Sequence, residues 1–561
     1  MKDKHKPKFI FTIGGVLSGV GKGVVSASLG MLLKNRGYKV AVIKIDPYIS
    51  IDAGTMRPAE HGEVFVTADG GEIDQDLGTY ERFMNQPFNK QSNITTGKVY
   101  QAVIDKERSF FYQGRDAQFI PDVINQIKEM ILSPLTDEDF VIVEIGGTTG
   151  DTENLGFLYA AREMAVEYQC QYLLVSYVPF LKNVGELKTK PTQHAATQLR
   201  STGISPDFII TRNEIPLDLP RKENIAKRCF IPISHVIDNP DVDTIYQVPL
   251  TLEAANLPKL LLKGFNLPSP RAKIAPWIKF IDNLQNSPKM VNIGLIGKYL
   301  KHGDAQHQDV YVSVIEAIKH AAGNLNIKPN IITINSEDIE TKGTKYLNNI
   351  NLDAIIIPQG WGSRGTEGKI IAANYARTKK IPYLGLCFGM QLAVISFARN
   401  VANLKSANSE EIDSKTPYPV IHLMPDQKEY LAKKQYGGTI RLGQWPCQLT
   451  DQSLVSDLYR QAAKIYDYDY FKPEAGDFTV LERHRHRYEF NNQYRDQLEA
   501  AGLVISGVSP DGLLVEMVEL PRKTHPFYIA TQAHPEYQSR INSPHPLFIG
   551  LVQSALDHHN L

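Results

Sequence analysis

The stretch PYLGLCFGMQLAV, residues 382–394, sets Cys387 between an apolar run and a helix-forming one, with glycines close on either side. A tight strand-to-helix corner thrusts its side chain into a cleft, the nucleophile-elbow arrangement with sulfur in place of a hydroxyl. A helix N-terminus also favours thiolate over thiol. Taken alone, the segment suits a buried structural thiol equally well. Two other segments tip the balance. AIIIPQGWGSRG ends an apolar run in a glycine turn at Gly360, whose backbone N–H can stabilise an oxyanion. FYIATQAHPEY ends a third run with His534 and, two residues on, Glu536, a base and a group to orient it. Cys387, His534 and Glu536 therefore form a candidate Cys–His–Glu triad.

A different chemistry starts the chain. In GGVLSGVGKGVVSAS, residues 14–28, an apolar run ends in glycines, reaches Lys22 and opens a helical pattern. Free backbone N–H groups, a helix dipole and a lysine charge together make a phosphate cradle. The spacing departs from the common G-x-x-x-x-G-K-[ST] pattern, with five residues between Gly15 and Gly21 and Gly23 after the lysine. Phosphate chemistry also needs carboxylates for a metal. DFVIVEIGGTTGD offers Glu144 at the end of an apolar run, and DGGEIDQDLGTYERF spaces Glu72, Asp74 and Asp76 two apart. Asp76 with Glu144 is the candidate magnesium pair. GELKTKPTQHAATQLR, residues 185–200, places Lys188 and Lys190 before Pro191 and Thr192 at a helix start, either a second anion site or a plain basic turn. ERHRHRYEF, residues 482–490, reads as a strand lining a cleft for an anionic or zwitterionic ligand, ahead of a nucleic-acid patch or a His484–His486 metal site.

The elements that must hold these groups alternate between short β-rich runs and amphipathic segments, the pattern of parallel sheets with crossover helices. KFIFTIGG, KVAVIKID, DFVIVEIGG, QYLLVSYV and PDFIITRN precede a Pro-, Asn- and Ser-rich stretch near 265–290, and MVNIGLIGKY, PNIITIN, LDAIIIPQG, IPYLGLC and PFYIATQ follow it. The expected architecture is α/β with two domains, 1–268 and 291–561, joined by a linker at 269–290. Residues 403–475 carry little periodic signal and receive no assignment. Lys plus Arg equals Asp plus Glu at 61 each, so no global field points to nucleic acid or a membrane. The four cysteines show no paired spacing, which fits a reducing cytoplasm. The N-terminal apolar run, broken by glycines and Lys22, does not read as a secretory leader.

A thiolate hydrolase joined to an ATP-binding domain points to amidotransfer. Over nearly its whole length the chain resembles the CTP synthase family, through SGVGKG, the long run KIDPYISIDAGTMRPAEHGEVFVTADGGEIDQDLGTYERF, NITTGKVY, VEIGGTTGD, GELKTKPTQH, DVDTIYQVP, GLCFGMQ, GGTIRLG, ERHRHRYE and HPE. The resemblance implies an N-terminal P-loop, dethiobiotin-synthetase-like domain and a C-terminal class I glutamine amidotransferase domain. It implies that Gly19, Val20, Gly21, Lys22, Gly23 and Val24 hold ATP phosphates and that Lys44 assists phosphoryl transfer. Arg212, Pro240, Asp241 and Val242 fall on the adenine side, and Asp76 and Glu144 on Mg2+. Ser18, Asp151, Thr152, Glu153, Lys188, Thr189, Lys190, Pro191, Thr192, Gln193 and Asn224 match positions facing UTP, or CTP as feedback inhibitor. Gly360, Phe388, Gly389, Met390, Gln391, Glu411 and Arg487 match the glutamine pocket. In that family ATP phosphorylates the uracil 4-oxygen and ammonia from glutamine displaces the phosphate. GTP activates the hydrolysis, and the working form is a homo-oligomer, typically a tetramer, with filaments left open. Four positions depart from the pattern: Asn224 where lysine is usual, Gln359 where glycine is, Phe388 where leucine is common, and Ala533 in place of a bulky aromatic.

Overall fold

The strand Phe140–Ile145 is buried at every position, and Lys8–Gly14 at all but its first. Strands apolar on both faces need cover on both, which crossover helices supply. The computed structural model describes residues 6–57, 62–298, 301–302, 305–306, 309–424, 427, 439–471 and 478–560. Residues 58–61 of the long motif and the two glycines that begin GGTIRLG lie outside them.

The chain divides into two compact units, one made of the segment up to Asp52 with Thr79–Pro276, the other of Ala53–Gly78 with the chain from Trp277 onward. The first unit carries a seven-stranded parallel sheet in the order Val236–Pro240, Phe208–Asn213, Cys170–Tyr177, Lys8–Gly14, Phe140–Ile145, Val40–Asp46, Asn93–Thr95. Its five longest strands are the five apolar runs of the sequence. The second unit carries nine strands. Lys328–Asn335, Met290–Gly297, Ala354–Ile357, Tyr383–Leu386 and Tyr528–Thr531 run parallel, and Val515–Glu519, Val504–Val508, Arg441–Leu449 and Phe478–His486 continue the sheet antiparallel.

Two features of the division bear on the expected boundaries. Residues 53–78, which precede most of the first unit in sequence, pack with the second, where Val64–Val66 and Glu72–Asp74 pair as a hairpin. The stretch 269–290 contains the helix Ala275–Asn286, with Trp277, Phe280, Ile281 and Leu284 buried at helical spacing. The Pro, Asn and Ser on either side of the helix hide that stripe from a reading by composition. The unassigned 403–475 holds strands Ala407–Ser409, Tyr418–Leu423 and Arg441–Leu449 and the helix Leu454–Ala462.

The helix Phe388–Asn400 leaves the Cys387 corner so close to the sheet that a Cβ on Gly389 would stand 1.9 Å from the carbonyl oxygen of Ile357. Backbone cannot yield as a side chain can, so Gly389→Ala should lower the melting temperature of the full chain and cost at least the ~1–3 kcal/mol typical of overpacking. A melting temperature equal to that of the unsubstituted protein would contradict this packing.

Candidate active sites

Parallel sheets gather loops at the C-terminal ends of their strands, and both candidate sites form there. In the second unit, Tyr383–Leu386 and Tyr528–Thr531 are neighbours with Leu386 opposite Thr531, so Cys387 and His534 leave adjacent strands. Ala354–Ile357, on the other side of Tyr383–Leu386, leads into the loop carrying Gly360. Cys387 has φ 50° and ψ −103°, a conformation that L-residues avoid, and its N–H donates to Thr531 O at 2.8 Å. Its sulfur accepts a hydrogen bond from Gln532 Nε2 at 3.6 Å.

His534 is buried, stacks on Tyr537 and donates from Nδ1 to Glu536 Oε1 at 2.8 Å. That bond leaves Nε2 as the ring nitrogen for acid–base work. Burial disfavours the imidazolium, yet the charges of Cys387 and Glu536 outweigh it and raise the pKa to about 10. His534 therefore favours its imidazolium form, which can protonate a leaving amine.

A cleft of about 320 Å³ joins Cys387, Phe388, His534, Gly360, Gln391, Glu411 and Arg487 with Gln359, Trp361, Arg485, His486 and Tyr488. Glu411 accepts the Gly362 N–H at 2.7 Å, and burial raises its carboxyl pKa against the pull of that bond and of Lys298. Arg487 donates to Thr439 Oγ1 at 3.2 Å. A carboxylate and a guanidinium in one cleft suit the two ends of a zwitterionic amino acid. Gly389 and Met390 stand outside the lining. Gly389 serves close packing, and the Met390 side chain is in the apolar core. Arg485, His486, Arg487 and Tyr488 line the cleft from the ERHRHRYEF segment, as the sequence pattern led one to expect, and Trp361 beside Gly360 is an addition. His484 and His486 are fully buried 3.1 Å apart, and burial holds both well below the usual histidine pKa. Gln359 donates to Glu63 Oε1 at 3.1 Å, and Glu63 also accepts the Ser313 N–H at 2.9 Å.

In the first unit, Gly21 with φ 85° turns the chain into the helix Lys22–Lys34. Lys22 is buried and donates to Gly147 O at 2.8 Å, across the glycine turn that follows Glu144. Ser18 and Gly19 are exposed in the loop and Val20 is buried beneath it. Lys44 Nζ lies 3.2 Å from Glu144 Oε1 and 3.5 Å from Asp46 Oδ1, and Tyr80 donates to the other Glu144 oxygen. Two buried carboxylates around one ammonium leave local negative charge, and carboxylate oxygens suit a hard cation such as Mg2+. Asp76 opens the helix Asp76–Met84 from the segment that packs with the second unit. Arg212 pairs with Asp241 just past Phe208–Asn213 and Val236–Pro240, and its guanidinium reaches the loop at Gly21.

Lys190 and Pro191 begin the helix Lys190–Ser201, whose Thr192 bonds Ser176 at 3.0 Å. Asn224 Oδ1 accepts from Gln193 Nε2 at 2.8 Å and from Thr189 Oγ1 at 3.4 Å, so the unusual asparagine sits among the expected UTP positions. Lys188 pairs with Glu186, and Asp151 accepts the Thr148 N–H at 2.6 Å. Thr152 and Glu153 line a second cavity of about 910 Å³, walled by apolar side chains including Val99, Phe119 and Phe157.

The His534–Glu536 bond generates a sign-defined test. Glu536→Gln removes a charge that stabilises the imidazolium, so the His534 pKa falls from about 10 and the alkaline limb of glutamine hydrolysis moves to lower pH. A pH–rate profile with that limb unmoved would contradict the electrostatic role of Glu536.

Two family models match successive parts of the chain. A family model described as the CTP synthase N-terminus matches residues 8–267, and one for class-I glutamine amidotransferases matches residues 306–554. The chain is 49% identical to the CTP synthase of Caldanaerobacter subterraneus subsp. tengcongensis, over 98% of both proteins. It is 49% identical to that of Methanocaldococcus jannaschii, again over 98% of each, and 46% identical to that of Thermosynechococcus vestitus, over 99% of this chain and 98% of the other. With a phosphate loop at one end, a cysteine elbow at the other and full-length relatives throughout, the chain belongs to the CTP synthase family.

Proposed function

We propose that the chain is a glutamine-hydrolysing CTP synthase, a ligase of pyrimidine nucleotide biosynthesis that aminates UTP at the expense of ATP. The observation carrying this most directly is the single cleft holding Cys387, His534, Gly360, Glu411 and Arg487 in a chain that also begins with a phosphate loop. Glu411 takes the substrate ammonium and Arg487 its carboxylate, which orients the side-chain amide towards Cys387. The thiolate attacks the amide carbon, and the Gly360 N–H receives the oxyanion. Collapse breaks the C–N bond, and the His534 imidazolium supplies the proton with which ammonia leaves. Water, deprotonated by the now neutral His534, then cleaves the γ-glutamyl thioester and releases glutamate.

In the first unit Lys22 holds ATP phosphates, and Lys44, with its charge fixed between Asp46 and Glu144, neutralises the phosphoryl group in flight towards the uracil 4-oxygen. Glu144 is the buried carboxylate that fits Mg2+, which would neutralise phosphate charge there when bound. For Asp76, the resemblance alone supports a magnesium role. Ammonia displaces phosphate at uracil carbon 4 and yields CTP. Asp151 to Glu153 and Lys188 to Gln193 supply the UTP side, with CTP as competitor. Arg212 and Pro240 to Val242 serve the adenine side. GTP activation and a homotetramer rest on the family resemblance. Four free cysteines support a cytoplasmic setting, and no helix among the described residues is long and apolar enough to cross a membrane.

The test is formation of CTP from UTP, ATP, Mg2+ and glutamine, with and without GTP. Absence of CTP in both would overturn the proposal. Cys387→Ala should abolish amination from glutamine while leaving amination from ammonium within about twofold. Lys22→Ala should lower both by at least about 10²-fold. Equal failure of the two variants with ammonium supplied would contradict the division of labour.

A further inference from the structure

Two buried lysines hold the Pro358–Gly362 loop from one side. Lys369 Nζ donates to Pro358 O at 2.9 Å and to Gln359 O at 3.4 Å. Lys298 Nζ donates to Trp361 O at 3.1 Å and also to Gly362 O. These four bonds all go to main-chain carbonyls. The ring of Phe388, the residue after the candidate nucleophile, lies 4.4 Å from the Lys298 ammonium and 5.8 Å from that of Lys369.

A trans peptide directs its N–H away from its C=O. Both ends of the Trp361–Gly362 plane are pinned, the carbonyl by Lys298 and the N–H by Glu411 at 2.7 Å. In the Gln359–Gly360 plane Lys369 pins the carbonyl, and the Gly360 N–H must therefore face the other way. Gly360 lines the cleft that contains Cys387. A Cβ on Gly360 would lie 3.4 Å from Lys298 Cδ and 3.6 Å from Lys369 Nζ, so both side chains lie beside this one residue.

We propose that Lys369, with Lys298 beside it, is a positioning residue for glutamine hydrolysis: it fixes the Gln359–Gly360 peptide so that the Gly360 N–H is aimed in advance at the oxyanion. The inference rests on Cys387 as nucleophile. Packing alone does not require an amine here, since a methionine fills similar space without the cost of burying a polar head. That cost is visible: burial holds Lys369 well below the usual lysine pKa and Lys298 at about 8. A neutral amine still donates to a carbonyl, so the clamp does not depend on charge. Phe388, in a position where leucine is common, gives the two amines an aromatic face that leucine lacks.

Lys369→Met in the full-length protein tests this. Losing an oxyanion donor costs about 10²–10³ in kcat, and a loosened donor should cost about 10–10². The expected result is that loss in kcat for glutamine hydrolysis, with KM within threefold and ammonium-dependent CTP formation within twofold. Iodoacetamide alkylates a thiolate without forming an oxyanion, so its rate at Cys387, followed by mass spectrometry, should stay within threefold. A kcat within threefold of the parent, a rise in KM alone, or parallel loss of alkylation and turnover would each overturn the proposal. Retained glutamine hydrolysis in Cys387→Ala would instead remove the underlying nucleophile assignment. Should Lys369→Met lose ammonium-dependent activity as well, Lys298→Met is read by the same assays, and an unchanged kcat there overturns the clamp.

Discussion

The backbone of Cys387 is held where an L-residue resists going, at φ 50° and ψ −103°. A single conformation of that kind costs on the order of 1–3 kcal/mol and persists only where its surroundings over-determine it. Here they do. The Cys387 N–H is tied to Thr531 O, the helix behind it is buried along nearly its whole length, and Gly389 lets that helix settle on the Ile357 carbonyl. Because the strands on either side bring His534 and Gly360 to the same edge, the strained corner also decides where those two residues meet the sulfur.

The two units use one geometrical principle for opposite chemistries. At the C-terminal ends of parallel strands, the first unit gathers backbone amides, Lys22 and Lys44 with carboxylates held beneath, a set suited to phosphate. The second gathers the Cys387 sulfur, the His534 ring and loop amides, a set suited to an uncharged carbonyl. Charge is therefore local in both, in a chain whose acidic and basic residues balance. Burial raises the Glu411 carboxyl at the cleft and lowers the Lys298 amine behind its loop.

Legibility followed the length and periodicity of the signal. Ten apolar runs became ten parallel strands because each is rich in β-branched and aliphatic residues, down to the four-residue Ala354–Ile357 and Tyr383–Leu386. The strands Asn93–Thr95 and Val236–Pro240 escaped notice, since NIT and VIDNP hold only one or two strongly apolar residues each. Cys387, His534 and Gly360 were readable because each closely follows an apolar run, and Arg485 and Tyr488 because basic and aromatic residues alternate around them, whereas nothing in its type singled out Trp361. The same holds for residues 53–78. Nothing in their composition marks them as part of the second unit, yet Glu72 pairs with Arg485 at 2.8 Å and Tyr537 donates to Val64 O at 3.0 Å.

The sulfur of Cys387 is where every part of this account converges, and rapid acid quench with glutamine interrogates it directly. Peptide mass spectrometry should find a γ-glutamyl group on Cys387 alone, released by hydroxylamine, at a level that tracks turnover. Steady hydrolysis of glutamine with no such adduct, or with the adduct on Cys170, Cys229 or Cys447, would contradict it.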